Sequence, residues 1–204
     1  FRKLVVRYVF AGKERWADIA ACSRALVAEL NSSPVFGFFA DLIIEEIDML
    51  RGGDSHDLLD EGKRKRCLSS LVAVHILLIT PPCDTFTRAV FSGFPGPKPI
   101  RDFHHPRGFL DLTPGQREKA EAANVLCDFS VEMLRQAAVL GVVAFLEFPE
   151  DLGKCRLGRP ASIWQRADMR ALAKLGFIRG VCYQDAWAEV PYLKPTGLIS
   201  NAPK

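Results

Sequence analysis

The chain has 204 residues, 49% hydrophobic and 25% charged, with 15 Gly and 13 Pro. That composition suits one globular domain and excludes disordered, collagen-like and low-complexity chains. Lys plus Arg is 27 and Asp plus Glu is 24, a net charge of +3. Such a balance permits a nucleic-acid partner without calling for one. No stretch reaches the roughly 18–20 apolar residues of a membrane span, and no apolar run at the start has the form of a signal peptide. The first residue is Phe1 rather than Met, which points to a fragment or a processed chain.

In chain order, Leu4 to Phe10 predicts a strand, and Ala11-Gly12 opens a loop. A helix follows Asp18, with Ile19, Cys22, Leu26 and Leu30 at helical spacing until Asn31-Ser32-Ser33-Pro34 stops it. Phe38 to Ile47 predicts a second strand that ends in Glu45, Glu46 and Asp48. Arg51-Gly52-Gly53-Asp54 is a turn. Lys63-Arg64-Lys65-Arg66 begins another helix, with a solvated face as its plain reading. Val74 to Ile79 is a continuous apolar strand of the kind buried in a parallel sheet.

A long loop rich in Pro, Gly and aromatic residues runs from Pro81 to about Gly115. Loops of this length in compact domains are often functional. Thr113 caps the next helix, Pro114 takes its first position, and Gly141 ends it. Its apolar stripe is Leu126, Phe129, Met133, Ala137 and Leu140. Val142 to Glu147 is a strand, Ala161 to Leu175 a helix stopped by Gly176, and Phe177 to Tyr183 a strand. Lys194 to Ser200 is its expected hairpin partner. The alternation of strands and helices predicts an α/β fold with a mostly parallel central sheet and helices on both faces. Ligands of such sheets bind beyond the carboxyl ends of the strands.

The six cysteines form no CxxC pair and no Cys/His cluster of zinc spacing. They point to a reducing compartment inside the cell, a nucleus or an organelle included. No metal site is expected; His104-His105 lacks a third ligand in the pattern.

Three strand ends carry chemistry. Phe10-Ala11-Gly12 places a glycine where backbone can approach a cofactor, and Asp48, with Glu46 next, stands where a carboxylate can take ribose hydroxyls. Thr80-Pro81-Pro82-Cys83 stiffens the turn after a buried strand and presents a thiol there. Glu147-Phe148-Pro149-Glu150 puts carboxylates at the end of another strand. Each also has a plain structural reading: a solvated strand end, a buried small residue beside a turn, an acidic surface turn.

In their order and placement these segments resemble the S-adenosylmethionine-dependent methyltransferase fold, and within it divergent cytosine-5 DNA methyltransferases. Phe10-Ala11-Gly12 is similar to the cofactor motif, Pro81-Pro82-Cys83 with Phe86-Thr87 to the Pro-Cys nucleophile motif, and Glu147-Phe148-Pro149 to the Glu-Asn motif. The resemblance implies a Rossmann-like single domain over 1–204 with a C-terminal antiparallel hairpin; the separate target-recognition region that a DNA methyltransferase needs is not expected within these residues. It implies S-adenosylmethionine as cofactor, held by Phe10, Gly12, Asp48, Asp57 and Pro81. Asp57 would close a third strand, with a helix cap as the alternative for Asp57-Leu58-Leu59-Asp60. Cys83 would be the nucleophile that adds to cytosine, and Glu147 would hydrogen-bond the ring, on a base taken out of the stack.

DNA or RNA is then the partner, with Arg88, Lys98, Arg101 and Arg107 placed to touch phosphates. Phe148 stands where the family carries Asn, and no Gln-x-Arg-x-Arg match follows. A second class therefore stays open: a non-catalytic relative serving as a structural or interaction subunit of a larger protein assembly.

Overall fold

The computed structural model describes residues 2–12, 28–29, 32, 39–91, 93, 95–183 and 195–203. Most of the helix expected after Asp18 lies outside them, as does Lys194. Six strands are described: β1 (Arg2–Val9), β2 (Phe39–Ile47), β3 (Ile76–Ile79), β4 (Val143–Pro149), β5 (Ile178–Tyr183) and β6 (Pro195–Ser200). They form one mixed sheet in the order β2-β1-β3-β4-β6-β5. The first four are parallel to one another, and β6 runs antiparallel between β4 and β5. The protein is thus α/β, as the alternating pattern predicts.

Alternation along the strands divides the two faces. Val9, Leu77, Ile79, Ala144, Leu146 and Phe148 are almost wholly buried on one face. They share a core with Cys67 and Leu71 and with Cys127, Met133, Leu134 and Ala137. The first pair belongs to α2 (Glu61–Ser69) and the short 3-10 turn after it. The second set lies on α3 (Pro114–Leu140), the long helix of the fold, which follows α1 (Met49–Gly52) and α2 in the chain. α3 is set by its own sequence. Thr113 and Gln116 form a reciprocal capping box, Pro114 occupies the first turn, and Gly141 closes the helix at φ +71. On the opposite face Tyr8, Leu78, Phe145, Glu147 and Leu198 border a cavity of about 270 Å³.

Three expectations are corrected. No strand ends at Asp57. Gly53 turns the chain at φ +54, Asp57 Oδ1 accepts the Leu59 amide in a local turn, and Asp60 caps α2 through the Lys63 amide. Short polar side chains here bond to their own backbone, which favours caps over a ladder. The span from Ala161 to Leu175 is not one helix. It is a 3-10 turn (Ile163–Gln165), α4 (Ala167–Ala171) and a second 3-10 turn, broken where Arg166 is extended at ψ 139. Finally, Glu147 does not end its strand. Phe148 and Pro149 pair onward with Gly197 and Thr196 of β6, so β4 reaches its end beside Glu150.

Candidate functional site

The chain runs from β1 to β2 on one side and returns to β3 on the other. The order reverses between β1 and β3, so the crevice beyond their carboxyl ends is the switch point at which open α/β sheets bind ligands. Phe10-Ala11-Gly12 and Thr80-Pro81-Pro82-Cys83 border it from the two sides.

The first turn is held by its neighbours. Phe10 sits at φ +64, a conformation unusual outside glycine. Its amide donates to Ile47 O at 2.9 Å, and its carbonyl accepts the Thr80 hydroxyl at 2.8 Å. Gly12 is at φ +69, and among the described residues nothing lies within 4 Å of where its Cβ would stand. A positive φ of this kind favours glycine. The Gly12 amide donates to Asp48 Oδ2 at 3.0 Å, and its carbonyl accepts Arg51 Nε at 3.0 Å. Asp48 Oδ1 accepts the Leu50 amide at 2.7 Å, so this carboxylate also caps α1.

Glu46, two residues earlier, is differently placed. Its side chain is 13% exposed, with Arg51 Nε 3.8 Å from Oε2. Oε1 is buried and has no hydrogen-bond partner among the described residues. Burial pushes its carboxyl above the ordinary range, and Arg51 only partly offsets this. Of the two acids, Glu46 therefore carries the oxygen that lacks a hydrogen-bond partner among the described residues.

On the other side of the crevice Pro81 is buried and Cys83 half-buried against the core. Cys83 O accepts the Phe86 amide at 2.9 Å, closing a tight turn. The Phe86 ring meets Phe148 edge to face at 5.3 Å, and the Arg101 guanidinium lies 4.1 Å above it. This stack joins the loop after β3 to the end of β4.

The proposed phosphate contacts separate. Arg101 is fully buried, which corrects its reading as a phosphate ligand. It donates to Pro106 O at 2.8 Å, Asn124 Oδ1 at 2.8 Å and Ala120 O at 2.9 Å. Burial lowers its guanidinium to about 10. Its charge fastens the long loop to α3, and no phosphate reaches it there. Arg88 is exposed and holds the Leu152 and Lys154 carbonyls. Lys98 is exposed, and Arg107 pairs with Asp128 at 2.8 Å on the surface.

Cys83 does not line the cavity that Glu147 borders, as far as the described residues go. Glu147 borders the space with Tyr8, Thr80 and Leu198, without Cys83. Cys83 instead neighbours Cys127, whose thiol burial pushes up to about 12. Asp57 lies in its turn before α2 and is not the last residue of a described strand. Among the described cysteines, Cys67, Cys127, Cys155 and Cys182 are free thiols.

Sequence reasoning missed the buried role of Arg101 and the place of Glu150 at the end of β4. The one local signal was the run of carboxylates at 147, 150 and 151, whose members only the register of β4 on β6 tells apart. Neither the family models, the curated proteins nor the solved structures contain a match to this chain. Among the described residues no helix is long and apolar enough to cross a membrane.

Proposed function

We propose that this chain is an S-adenosylmethionine-binding domain of the methyltransferase type, Rossmann-like in its sheet, acting on cytosine in DNA or RNA through Cys83. The observation that carries the reading is the arrangement at the switch point. A turn at Gly12, with no described atom within 4 Å of where a Cβ would stand, occurs together with Glu46, whose Oε2 faces Arg51 and whose Oε1 has no hydrogen-bond partner among the described residues. An adenosyl group needs both features: close backbone approach and an acceptor for ribose hydroxyls. The antiparallel β5–β6 hairpin is the other supporting feature.

When bound, the cofactor supplies a methyl group activated by a sulfonium. Glu46 would take the ribose hydroxyls, because both oxygens of Asp48 already accept backbone amides. Asp48 then acts on the site by fixing the turn. Cys83 would add to the base from the loop after β3, and the Phe86–Phe148 contact keeps that loop against the end of β4.

Calorimetric titration of the folded domain with S-adenosylmethionine tests this. Affinity on the order of micromolar, lost in Glu46→Ala and in Gly12→Val, supports the reading. No binding by a folded domain overturns it.

A second reading, an interaction subunit, is favoured by β5. This strand lies at the sheet edge, and Ile178, Val181 and Tyr183 are each about half exposed. Edge strands with apolar side chains invite pairing with another chain.

A further inference from the structure

A pocket of about 120 Å³ lies between the loop that follows Cys83 and the start of α3. Val90, Pro97, Pro99 and Ile100 give it apolar walls, and Asp84, Thr85, Lys98, Gln116 and Lys119 supply its polar groups. Lys98 stands between two prolines. Each proline fixes its own φ at about −65° and holds the residue before it extended. The backbone that carries Lys98 past the pocket is therefore preorganised.

The polar groups are mostly donors. Lys98 is exposed and has no ion-pair partner among the described residues. Gln116 Oε1 accepts the Thr113 amide at 3.0 Å and the Thr113 hydroxyl at 3.1 Å, and its Nε2 has no acceptor among the described residues. Thr85 is 5% exposed, and its hydroxyl is buried without a hydrogen-bond partner among the described residues. One change of staggered χ1 rotamer redirects that hydroxyl without moving the backbone. A buried donor left unpaired costs stability, and a ligand oxygen would recover it. Asp84 is the one carboxylate among the lining residues, and its Oδ2 is 2.7 Å from Lys119 Nζ. Two ammonium groups, an amide and a hydroxyl thus stand against a single carboxylate. Such a pocket calls for a ligand made of acceptors. Gln116 is in the first turn of α3, where the helix dipole adds to the preference for negative charge.

The space is enough for about four waters of roughly 30 Å³ each. That suits a tetrahedral oxyanion and is too small for a nucleoside. We propose that this pocket seats one phosphate-sized oxyanion, held by Lys98, Lys119, the Gln116 side-chain amide and the Thr85 hydroxyl. The ion joins the long loop to α3, beside the anchor that Arg101 makes to Ala120 and Asn124. It also clamps the turn that presents Cys83, since Asp84 and Thr85 are the next two residues. Neither S-adenosylmethionine nor cytosine enters this site.

The test is amide-resolved NMR titration of the chain with inorganic phosphate, against sodium chloride at equal ionic strength. Shifts at Thr85, Lys98 and Gln116 that saturate with phosphate and not with chloride support the site. Lys98→Met should weaken binding about tenfold, the loss expected of a hydrogen bond to a charged group. Thr85→Val removes only an unpaired hydroxyl, so it should melt no lower than the parent without phosphate and still bind the ion more weakly. Equal responses to phosphate and chloride overturn the site, as do variants that both bind phosphate as the parent does. Methyl phosphate and dimethyl phosphate identify the source. Tightest binding of inorganic phosphate assigns a free ion, of methyl phosphate the end of a monoester, and of dimethyl phosphate a diester chain; each supports the seat. The calorimetric titration with S-adenosylmethionine is a separate readout, so failure of the cofactor reading leaves this one standing.

Discussion

The Asp48 carboxylate accepts the Gly12 amide at 3.0 Å, and by this bond the end of β2 holds the turn that leaves β1. The same side chain caps α1 through the Leu50 amide. Replacing Asp48 with Ala removes both acceptors and should cost about 1–2 kcal/mol. Asn has a single side-chain acceptor oxygen and should recover part of that. Urea denaturation of the two variants checks the order. A loss in Asp48→Ala below a few tenths of a kcal/mol would show that the clasp does not constrain the turn.

Glu46 predicts a pH dependence of opposite sense to that of a paired carboxylate. Burial raises its folded-state value, so the folded protein holds this proton more tightly than the unfolded chain. Its contribution is fully present below the ordinary glutamate range and is lost as pH rises through the raised value. Glu46→Gln should therefore melt higher than the parent near pH 7. The difference should close below about pH 4. Thermal scans across that range decide it, and a variant less stable than the parent at neutral pH would refute the assignment.

The cysteines separate by environment. Burial pushes the Cys127 thiol up to about 12 and raises that of Cys67, so neither supplies thiolate at neutral pH. Cys83 is half-buried on the loop after β3. Iodoacetamide on the native protein should label Cys83 well before Cys67 and Cys127, as read by peptide mass spectrometry. Labelling of Cys127 at a comparable rate would contradict the packing of α3 against the sheet.

How far the sequence reached is clearest from two contrasts. α3 was legible from end to end because its signals are local: Thr113 with Gln116, Pro114 and Gly141 each act within a turn of the helix terminus. Arg101 was not. Nothing adjacent to it shows that three acceptors from 106, 120 and 124 converge on its guanidinium. The same division holds for the site. The turns at Gly12 and Cys83 could be placed after strands, but which carboxylate ends β4 depends on pairing with β6 some fifty residues later. Register is a long-range property, and a short acidic run does not encode it.

Arg101 yields a strong destabilisation. Arg101→Met keeps much of the volume but leaves the Pro106 and Ala120 carbonyls and Asn124 Oδ1 without their donor, and it removes the cation from the Phe86 ring. The expected cost is about 3 kcal/mol or more. Lys cannot reproduce the planar fork and should recover little. Chemical denaturation measures the loss, and near-parental stability in Arg101→Lys would show that charge alone suffices.

Gly197 faces the Trp164 indole so closely that an added Cβ would stand 2.7 Å from Cε2 and 2.8 Å from Nε1. The ring cannot easily yield. It is 8% exposed, its Nε1 is bonded to Pro149 O, and Arg179 covers its face. Gly197→Ala should therefore displace the indole or part β6 from β4, at about 1–3 kcal/mol. Trp164 also braces the peptide that precedes Glu150. Tryptophan fluorescence and a melting curve together test this. A red-shifted emission with a lowered Tm is expected, and an unchanged spectrum at parental Tm would mean that the strand and the indole are not in contact.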